Sequence, residues 1–143
     1  TGTGVIVTYG YDRNDRVVST SFSDYTPTVR YTYNARGQVT SRVDSSGTTS
    51  WGYDQAGRLV SRANTAGGGT IGYGYDKAGN LVSKTDTRGT TRYAFDASGT
   101  PVSLSYATAG GGTATTTFAT DDRGRRTDTW LASSQANTVW AAH

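Results

Sequence analysis

The strongest constraint on the fold is a short motif that recurs through nearly the whole 143-residue chain. Its clearest copy is the stretch 51–62, WGYDQAGRLVSR, which reads aromatic-x-aromatic-Asp-x-x-Gly-Arg-Leu. The second aromatic position falls at residues 11, 33, 53, 75, 95 and 120, so successive copies are 22, 20, 22, 20 and 25 residues apart. Such a period is typical of repeat architectures, in which each unit is stable only when it packs against its neighbours.

Each copy contains the residues that a β-hairpin needs. An acidic or amide side chain accepts hydrogen bonds from the backbone N–H groups of a turn, and a glycine three residues later supplies a positive φ without a Cβ clash. We therefore expect a type I turn followed by a bulge. Asp15 takes the glycine position in the first copy, where aspartate is tolerated less well. The residues expected to define the structural repeat motif are Tyr11, Asp12, Tyr33, Asn34, Gly37, Trp51, Tyr53, Asp54, Gly57, Arg58, Tyr73, Tyr75, Asp76, Gly79, Phe95, Asp96, Gly99, Asp121 and Gly124.

The segments on either side of each turn are β-branched or aromatic, and no stretch has a helical period. The sequence therefore predicts an all-β chain of tandem antiparallel hairpins in one continuous, twisted, spiralling sheet, with residues 1–143 forming a single repeat array. Pro101 cannot donate to a ladder, which indicates an edge strand or a bulge there. The predicted hairpins span about 5–22, 28–43, 48–63, 70–85, 90–106 and 115–131, with a truncated seventh copy from about 138.

Alternation along the strands predicts which side chains share a face. Trp51 and Tyr53 lie two residues apart, so stacked hairpins would align such pairs into two packed aromatic columns. Arg58 and Arg62 are interpreted as surface residues. The return strands place Val39, Leu59 and Leu81 at one phase and a basic column at the other, formed by Arg42, Arg62 and Lys84.

Two interpretations of the basic column remain open. The favoured one is a solvated strand face on which the long stems of the basic residues cover apolar surface. The other is a positively charged groove, interleaved with aromatics, that binds nucleic acid or an anionic glycan. The net charge of +3 is mild and is spread through the repeats, so we expect no nucleic-acid partner.

Composition and spacing argue against catalysis. Without cysteine, the chain has no disulfide, thiolate zinc site or cysteine nucleophile. His143 is the only histidine, so neither a Ser-His-Asp arrangement nor a multi-histidine metal site can form. The turn aspartates offer one carboxylate per repeat where calcium takes about 6–8 oxygen ligands, so calcium bound along the row is only a minor alternative. We therefore expect no enzymatic activity, metal or cofactor. The sequence has no apolar run long enough to predict a membrane span.

The motif resembles the YD repeat of the Rhs and teneurin-like family. The resemblance rests on the stretches 51–59, WGYDQAGRL, and 73–81, YGYDKAGNL, and it covers roughly residues 5 to 131. Three copies depart from the pattern. The departures are Asp15 for the glycine, Phe95 for the tyrosine, Thr100 and Pro101 for Arg-Leu, and Thr120 for the second aromatic.

The resemblance implies a partial segment of a hollow β-shell in a large secreted or surface protein, and hence an extracellular or cell-surface location. Such a segment is non-catalytic and encloses or presents another polypeptide, such as a C-terminal toxin. The implied partners are flanking YD repeats of the same parent chain and an enclosed toxin domain. The alternative, based on the aromatic and basic columns, is a carbohydrate-binding or cell-surface adhesion module whose partners are glycans.

Overall fold

The computed structural model describes residues 4–121, 123, 125–133 and 136–142, with the backbone alone from 133 onward. These residues form thirteen β-strands, and none of them lies in a helix. The predicted all-β class and its tandem antiparallel hairpins are confirmed. The chain divides after Thr70 into two compact units, and the boundary falls within the seventh strand.

The first unit is an antiparallel meander in which each strand pairs with the next strand along the chain. A motif turn or an exit turn connects each pair. The strands are β1 (Val7–Tyr11), β2 (Val17–Phe22), β3 (Val29–Tyr33), β4 (Val39–Asp44), β5 (Gly47–Tyr53) and β6 (Leu59–Asn64), followed by β7 (Gly69–Tyr75), which crosses the boundary.

The second unit continues the same antiparallel order from β7. The residues predicted to begin a seventh copy, from about 138, lie in its last strand, and His143 lies outside the described residues. The strands are β8 (Leu81–Asp86), β9 (Gly89–Phe95), β10 (Pro101–Ala107), β11 (Thr113–Thr120), β12 (Arg126–Ser133) and β13 (Ala136–Ala142).

Every motif hairpin carries an extra residue at the same point of its return strand. In the third hairpin Tyr53 faces Leu59 whereas Gly52 faces Ser61, so Val60 has no residue opposite it. An extra residue of this kind is a β-bulge, which bends and twists the strand. The equivalent residues in the other hairpins are Val18, Thr40, Val82, Val102 and Thr127.

Pro101 lies beside one of these bulges. The register of β9 and β10 shifts between Pro101 and Ser103, as the bulge prediction requires. The edge-strand alternative is wrong, because β10 pairs with β9 on one side and with β11 on the other. Pro101 has no backbone N–H to donate to a regular ladder, and the bulge interrupts the ladder next to it.

The bulge also changes which residues share a face, and the predicted opposite phases are wrong. Leu59 faces Tyr53 and Arg62 faces Trp51, because the extra residue shifts the alternation by one position between them. The apolar and basic rows therefore both lie on the aromatic face. The cross-strand pairs that repeat this arrangement are Tyr33 with Val39, Tyr31 with Arg42, Tyr75 with Leu81 and Tyr73 with Lys84.

The sequence pattern Asp-x-x-Gly occurs in two different turns, the motif turn and the exit turn. In the motif turn Gly57 has a φ of 83°, its N–H donates to the Asp54 carbonyl at 3.0 Å, and the Asp54 N–H donates to the Arg58 carbonyl at 3.0 Å. In the exit turn Asp44 pairs directly with Gly47, whose φ is 123°, and the register continues without a shift. The two ends of a hairpin therefore use the same residue types in different backbone turns.

The sheet buries very little. Among the described residues only Ala114 and Thr49 are buried, and no large side chain is fully enclosed. Most motif aromatics are half-buried, whereas Tyr9 and Tyr11 of β1 are 53% and 58% exposed. The aromatic columns thus lie along a half-exposed face and do not form a packed core.

Two glycines of one repeat should differ in how much an alanine substitution lowers the free energy of unfolding. Gly57→Ala should lower the free energy of unfolding by roughly 1–2 kcal/mol, because its φ of 83° is strained for alanine. Gly52→Ala should be nearly neutral, since its Cβ would meet only the rotatable Ser61 hydroxyl and Ala94 occupies the equivalent position opposite Ser103. Urea unfolding followed by circular dichroism measures both. Equal losses would contradict this difference.

Candidate functional site

The carboxylate of each charged motif turn binds the residue four positions later. Asp54 Oδ1 accepts from the backbone N–H of Arg58 at 2.9 Å, and Oδ2 accepts from Nε of the same residue at 2.7 Å. Asp12 holds Arg16 in the same way, at 3.1 and 2.7 Å. The residue four positions after the aspartate therefore closes the turn through both its backbone N–H and its side chain. The pair Asp121 and Arg125 repeats the geometry at 2.9 and 2.7 Å.

A neutral donor replaces the arginine in other copies. Asn34 Oδ1 accepts from Gln38 N at 3.0 Å, while its Nδ2 donates to Gln38 Oε1 at 3.0 Å. Asn80 Nδ2 donates to Asp76 Oδ2 at 2.9 Å. Arg58, interpreted from the sequence as a surface residue, is partly exposed and also binds Asp54. A signal was present in the sequence, because every residue at this position is a side-chain donor: Arg16, Gln38, Arg58, Asn80, Thr100 and Arg125.

These donors keep the turn carboxylates ionised. Hydrogen bonds from the Arg58 backbone N–H and guanidinium lower the pKa of Asp54 below its usual value. The side chain of Arg16 does the same to the pKa of Asp12, and the Ser98 hydroxyl lowers the pKa of Asp96. A carboxylate with a lowered pKa is a hydrogen-bond acceptor and a poor general acid near neutral pH. The turn aspartates thus have a structural chemistry.

Two kinds of hydrogen bond join one repeat to the next, and we name this set the repeat interface. The first kind comes from the second motif aromatic. The Tyr33 hydroxyl donates to the Val17 carbonyl at 2.6 Å, and the Tyr53 hydroxyl donates to the Val39 carbonyl at 2.9 Å. Each acceptor is the first residue of the preceding return strand. The motif tyrosine therefore binds the hairpin before its own.

The second kind of bond comes from the residue that closes the turn. Arg16 Nη1 donates to the Asn34 carbonyl at 3.2 Å, and the guanidinium carbon lies 4.7 Å from the centroid of the Tyr33 ring. Gln38 Nε2 donates to the Gly57 carbonyl at 2.7 Å. Each of these side chains thus closes its own turn and holds the next turn. Cation–π contact adds to the first of the two links.

The basic row on the aromatic face is largely compensated. Arg42 Nη2 lies 2.7 Å from Asp44 Oδ2, and Lys84 Nζ lies 3.2 Å from Asp86 Oδ2. Arg62 is exposed and faces Trp51. Because acidic residues of the exit turns pair with two of the three charges, the row supports the solvated-face interpretation over an anion-binding groove.

The structure spreads the predicted motif residues along successive hairpins. Among the residues that it describes, no group of three or more histidine, cysteine, aspartate or glutamate side chains is placed to hold a metal ion. None of the described residues forms a helix long and apolar enough to span a membrane. Gly124, a predicted turn residue, lies outside the described part of the chain.

Comparison with protein families identifies the repeat. The family model of the RHS repeat matches residues 33–70 and 75–114, which together are more than half of the chain. The chain belongs to the RHS repeat family. The resemblance drawn from its turn and aromatic residues is thereby confirmed, and the two matched segments of this RHS repeat protein contain the motif turns that begin at Asn34, Asp54, Asp76 and Asp96.

Solved structures show the same fold at low sequence identity. The crystal structure of TcdB2-TccC3 without its hypervariable C-terminal region matches with a TM-score of 0.74 and 16% identity, over 96% of this chain and 8% of that chain. That of TcdB2-TccC3-Cdc42 matches with a TM-score of 0.73 and 16% identity, over 96% and 9%. This chain thus spans less than a tenth of each of these two chains. No curated protein matches its sequence.

A single hydroxyl of the repeat interface can be removed without changing the shape of the side chain. Tyr53→Phe should lower the free energy of unfolding by about 0.5–1.5 kcal/mol, because the Val39 carbonyl loses its tyrosine donor. Tyr25→Phe is the matched control, since Tyr25 lies outside the motif and is 97% exposed. Chemical unfolding of both variants beside the parent chain measures the difference. A loss no greater in Tyr53→Phe than in the control would refute the role of the hydroxyl.

Proposed function

We propose that this chain is a non-catalytic structural segment of a shell built from RHS repeats, which encloses or presents another polypeptide such as a C-terminal toxin. One observation carries the proposal. The polar groups of the motif that could look catalytic are used to close a turn or to bind a neighbouring repeat. Arg16 closes its own turn and binds the next one, and Tyr53 binds the hairpin before its own. In this proposal the motif residues are structural throughout, and residues 1–143 form one array.

The solved relatives support an enclosing role. They are TcdB2-TccC3 without its hypervariable C-terminal region, TcdB2-TccC3-Cdc42 and TcdB2-TccC3-TEV, the last with a TM-score of 0.53 and 17% identity over 93% of this chain and 9% of that chain. A C-terminal region that varies beside a constant repeat fold fits a container. A sheet held by backbone and turn hydrogen bonds does not depend on the sequence of what it surrounds.

Flanking repeats are the nearest proposed partners. Val7, Tyr9 and Tyr11 of β1 are 40%, 53% and 58% exposed, whereas the later aromatics of the same columns are half-buried. Residues 5–11 also contain no charge and no proline, the devices that usually protect an edge strand from pairing. This strand is therefore suited to pair with another repeat. An extracellular or cell-surface location follows from the shell proposal.

A second candidate function is carbohydrate binding or cell-surface adhesion. The observation that favours it is the pair formed by Trp51 and Arg62, in which an exposed guanidinium lies opposite a large aromatic ring on one face. Aromatic rings stack on sugar rings, and a basic neighbour would select anionic glycans. A glycan array distinguishes the two functions, because the shell proposal needs no glycan affinity and adhesion requires binding that Trp51→Ala removes.

Protease protection tests the enclosing role in the full-length protein that contains these residues. A polypeptide enclosed by the repeats should resist digestion in the parent and become accessible when Gly57→Ala and Tyr53→Phe together weaken the array. Tyr25→Phe should leave the protection unchanged, because that side chain lies outside the repeat interface. Equal digestion of the enclosed segment in all three proteins would overturn the proposal.

A further inference from the structure

An open cavity of about 570 Å³ lies between the fourth and fifth motif turns, within the second unit. A carboxylate from each turn lines it, together with an aromatic ring from β9. The lining residues that matter here are Asp76, Asn80, Phe95, Asp96 and Gly99. The cavity therefore combines negative charge with an aromatic surface.

An arginine of the chain itself occupies the equivalent position between the first and second turns. The Arg16 guanidinium donates from Nε to the Asp12 carboxylate at 2.7 Å and from Nη1 to the Asn34 carbonyl at 3.2 Å. Its central carbon lies 4.7 Å from the centroid of the Tyr33 ring. A carboxylate, a turn carbonyl and an aromatic ring thus form one guanidinium site.

The fourth and fifth copies keep these three groups but lack the arginine. By position in the motif, Asp76 corresponds to Asp12, Asp96 to Asn34 and Phe95 to Tyr33. Asn80 stands where Arg16 would be, and its short amide donates to Asp76 Oδ2 at 2.9 Å. The Asp96 carbonyl accepts the Gly99 N–H at 3.0 Å and has a second lone pair for another donor.

We propose that this cavity binds a guanidinium group, namely the arginine side chain of a partner polypeptide. The guanidinium would stack on Phe95 and donate to the Asp76 carboxylate and to the Asp96 carbonyl, as Arg16 stacks on Tyr33 and donates to Asp12 and Asn34. The Asp96 carboxylate, where the second copy has the neutral Asn34, would add a second negative charge. Its planar fork of donors fits such a set, whereas a lysine ammonium is a compact, strongly hydrated charge that stacks less well. This inference does not depend on the proposed shell function.

The hydrogen bonds that hold the two turns also maintain the charge of the cavity. The Asn80 side chain and backbone lower the pKa of Asp76, and the Ser98 hydroxyl and the Thr100 N–H lower the pKa of Asp96. Both carboxylates are therefore ionised at neutral pH. A second cavity of about 260 Å³ in the same unit does not offer such a site, because Lys84 already pairs there with Asp86.

A titration of the whole chain tests the proposal. N-acetyl-arginine amide, followed by NMR at constant ionic strength, should shift the amide signals of Phe95, Asp96 and Gly99. N-acetyl-lysine amide should bind roughly fivefold or more weakly, since it lacks the stacking and the donor fork. Equal responses to the two compounds, or arginine shifts confined to other residues, would overturn the assignment.

Variants make the test specific to the cavity. Asn80→Arg should fill it from within and abolish the arginine response, and Arg16, Arg58 and Arg125 show that the motif accepts arginine at this position. Thr87→Arg is the control, because it adds the same charge at an exposed residue that does not line the cavity. Unchanged binding by Asn80→Arg, or an equal loss in the control, would refute the proposal.

Two further measurements test the contribution of the Asp96 carboxylate and distinguish a polypeptide ligand from a small guanidinium compound. Asp96→Asn should retain the turn, as Asn34 does in the second copy, and should weaken the arginine response severalfold; no change would count against the site. A peptide with one central arginine should bind at least as tightly as the capped amino acid. If only the capped amino acid binds, the ligand is a small guanidinium compound and the polypeptide partner is excluded.

Discussion

The side chain that opens each motif turn makes the hydrogen bonds that fix the shape of every hairpin. Its Oδ1 accepts the N–H two residues later and the N–H four residues later, as in Asp12 at 2.9 and 3.1 Å. Its other terminal atom orients the side chain that reaches the next turn, as Asp12 Oδ2 does when it accepts from Arg16 Nε at 2.7 Å. Burial cannot replace these bonds, because only Ala114 and Thr49 are buried among the described residues. The sheet is therefore held by backbone ladders, capped turns and the repeat interface, each repeated along the chain.

Repetition also separates the shared role of the motif from local specialisation. Arg16 and Gln38 close one turn and hold the next, so the same geometry can extend along any number of hairpins. In the fourth and fifth copies Asn80 is shorter than the arginine it replaces, and Phe95 lacks the hydroxyl of the motif tyrosine. A cavity lies between these two turns. Variation at two positions of a structural motif can thus produce a ligand site without altering the fold.

Turn chemistry and period could be predicted from the sequence because they are local. The hairpins follow from residues such as Asp54 and Gly57, and Asp15 has the positive φ, 56°, that its position requires. A bulge after the turn could be predicted, but its position at Val60 could not, since valine fits a regular strand equally well and the register depends on the partner strand. This register places Arg62 on the aromatic face. The partners of the turn aspartates differ in residue type from copy to copy, so only their shared capacity to donate a hydrogen bond identifies them in the sequence.

Native-state hydrogen exchange measures how much the repeat interface stabilises a turn. The amides of Gly57 and Gly99 each donate to the carbonyl that opens their own turn at 3.0 Å, so their local bonds are matched. The carbonyl of Gly57 also accepts from Gln38, whereas Gly99 lines the open cavity. If the repeat interface holds the turns, Gly57 should have a higher protection factor, corrected for intrinsic exchange, than Gly99. Equal protection, or higher protection at Gly99, would refute the role of the repeat interface.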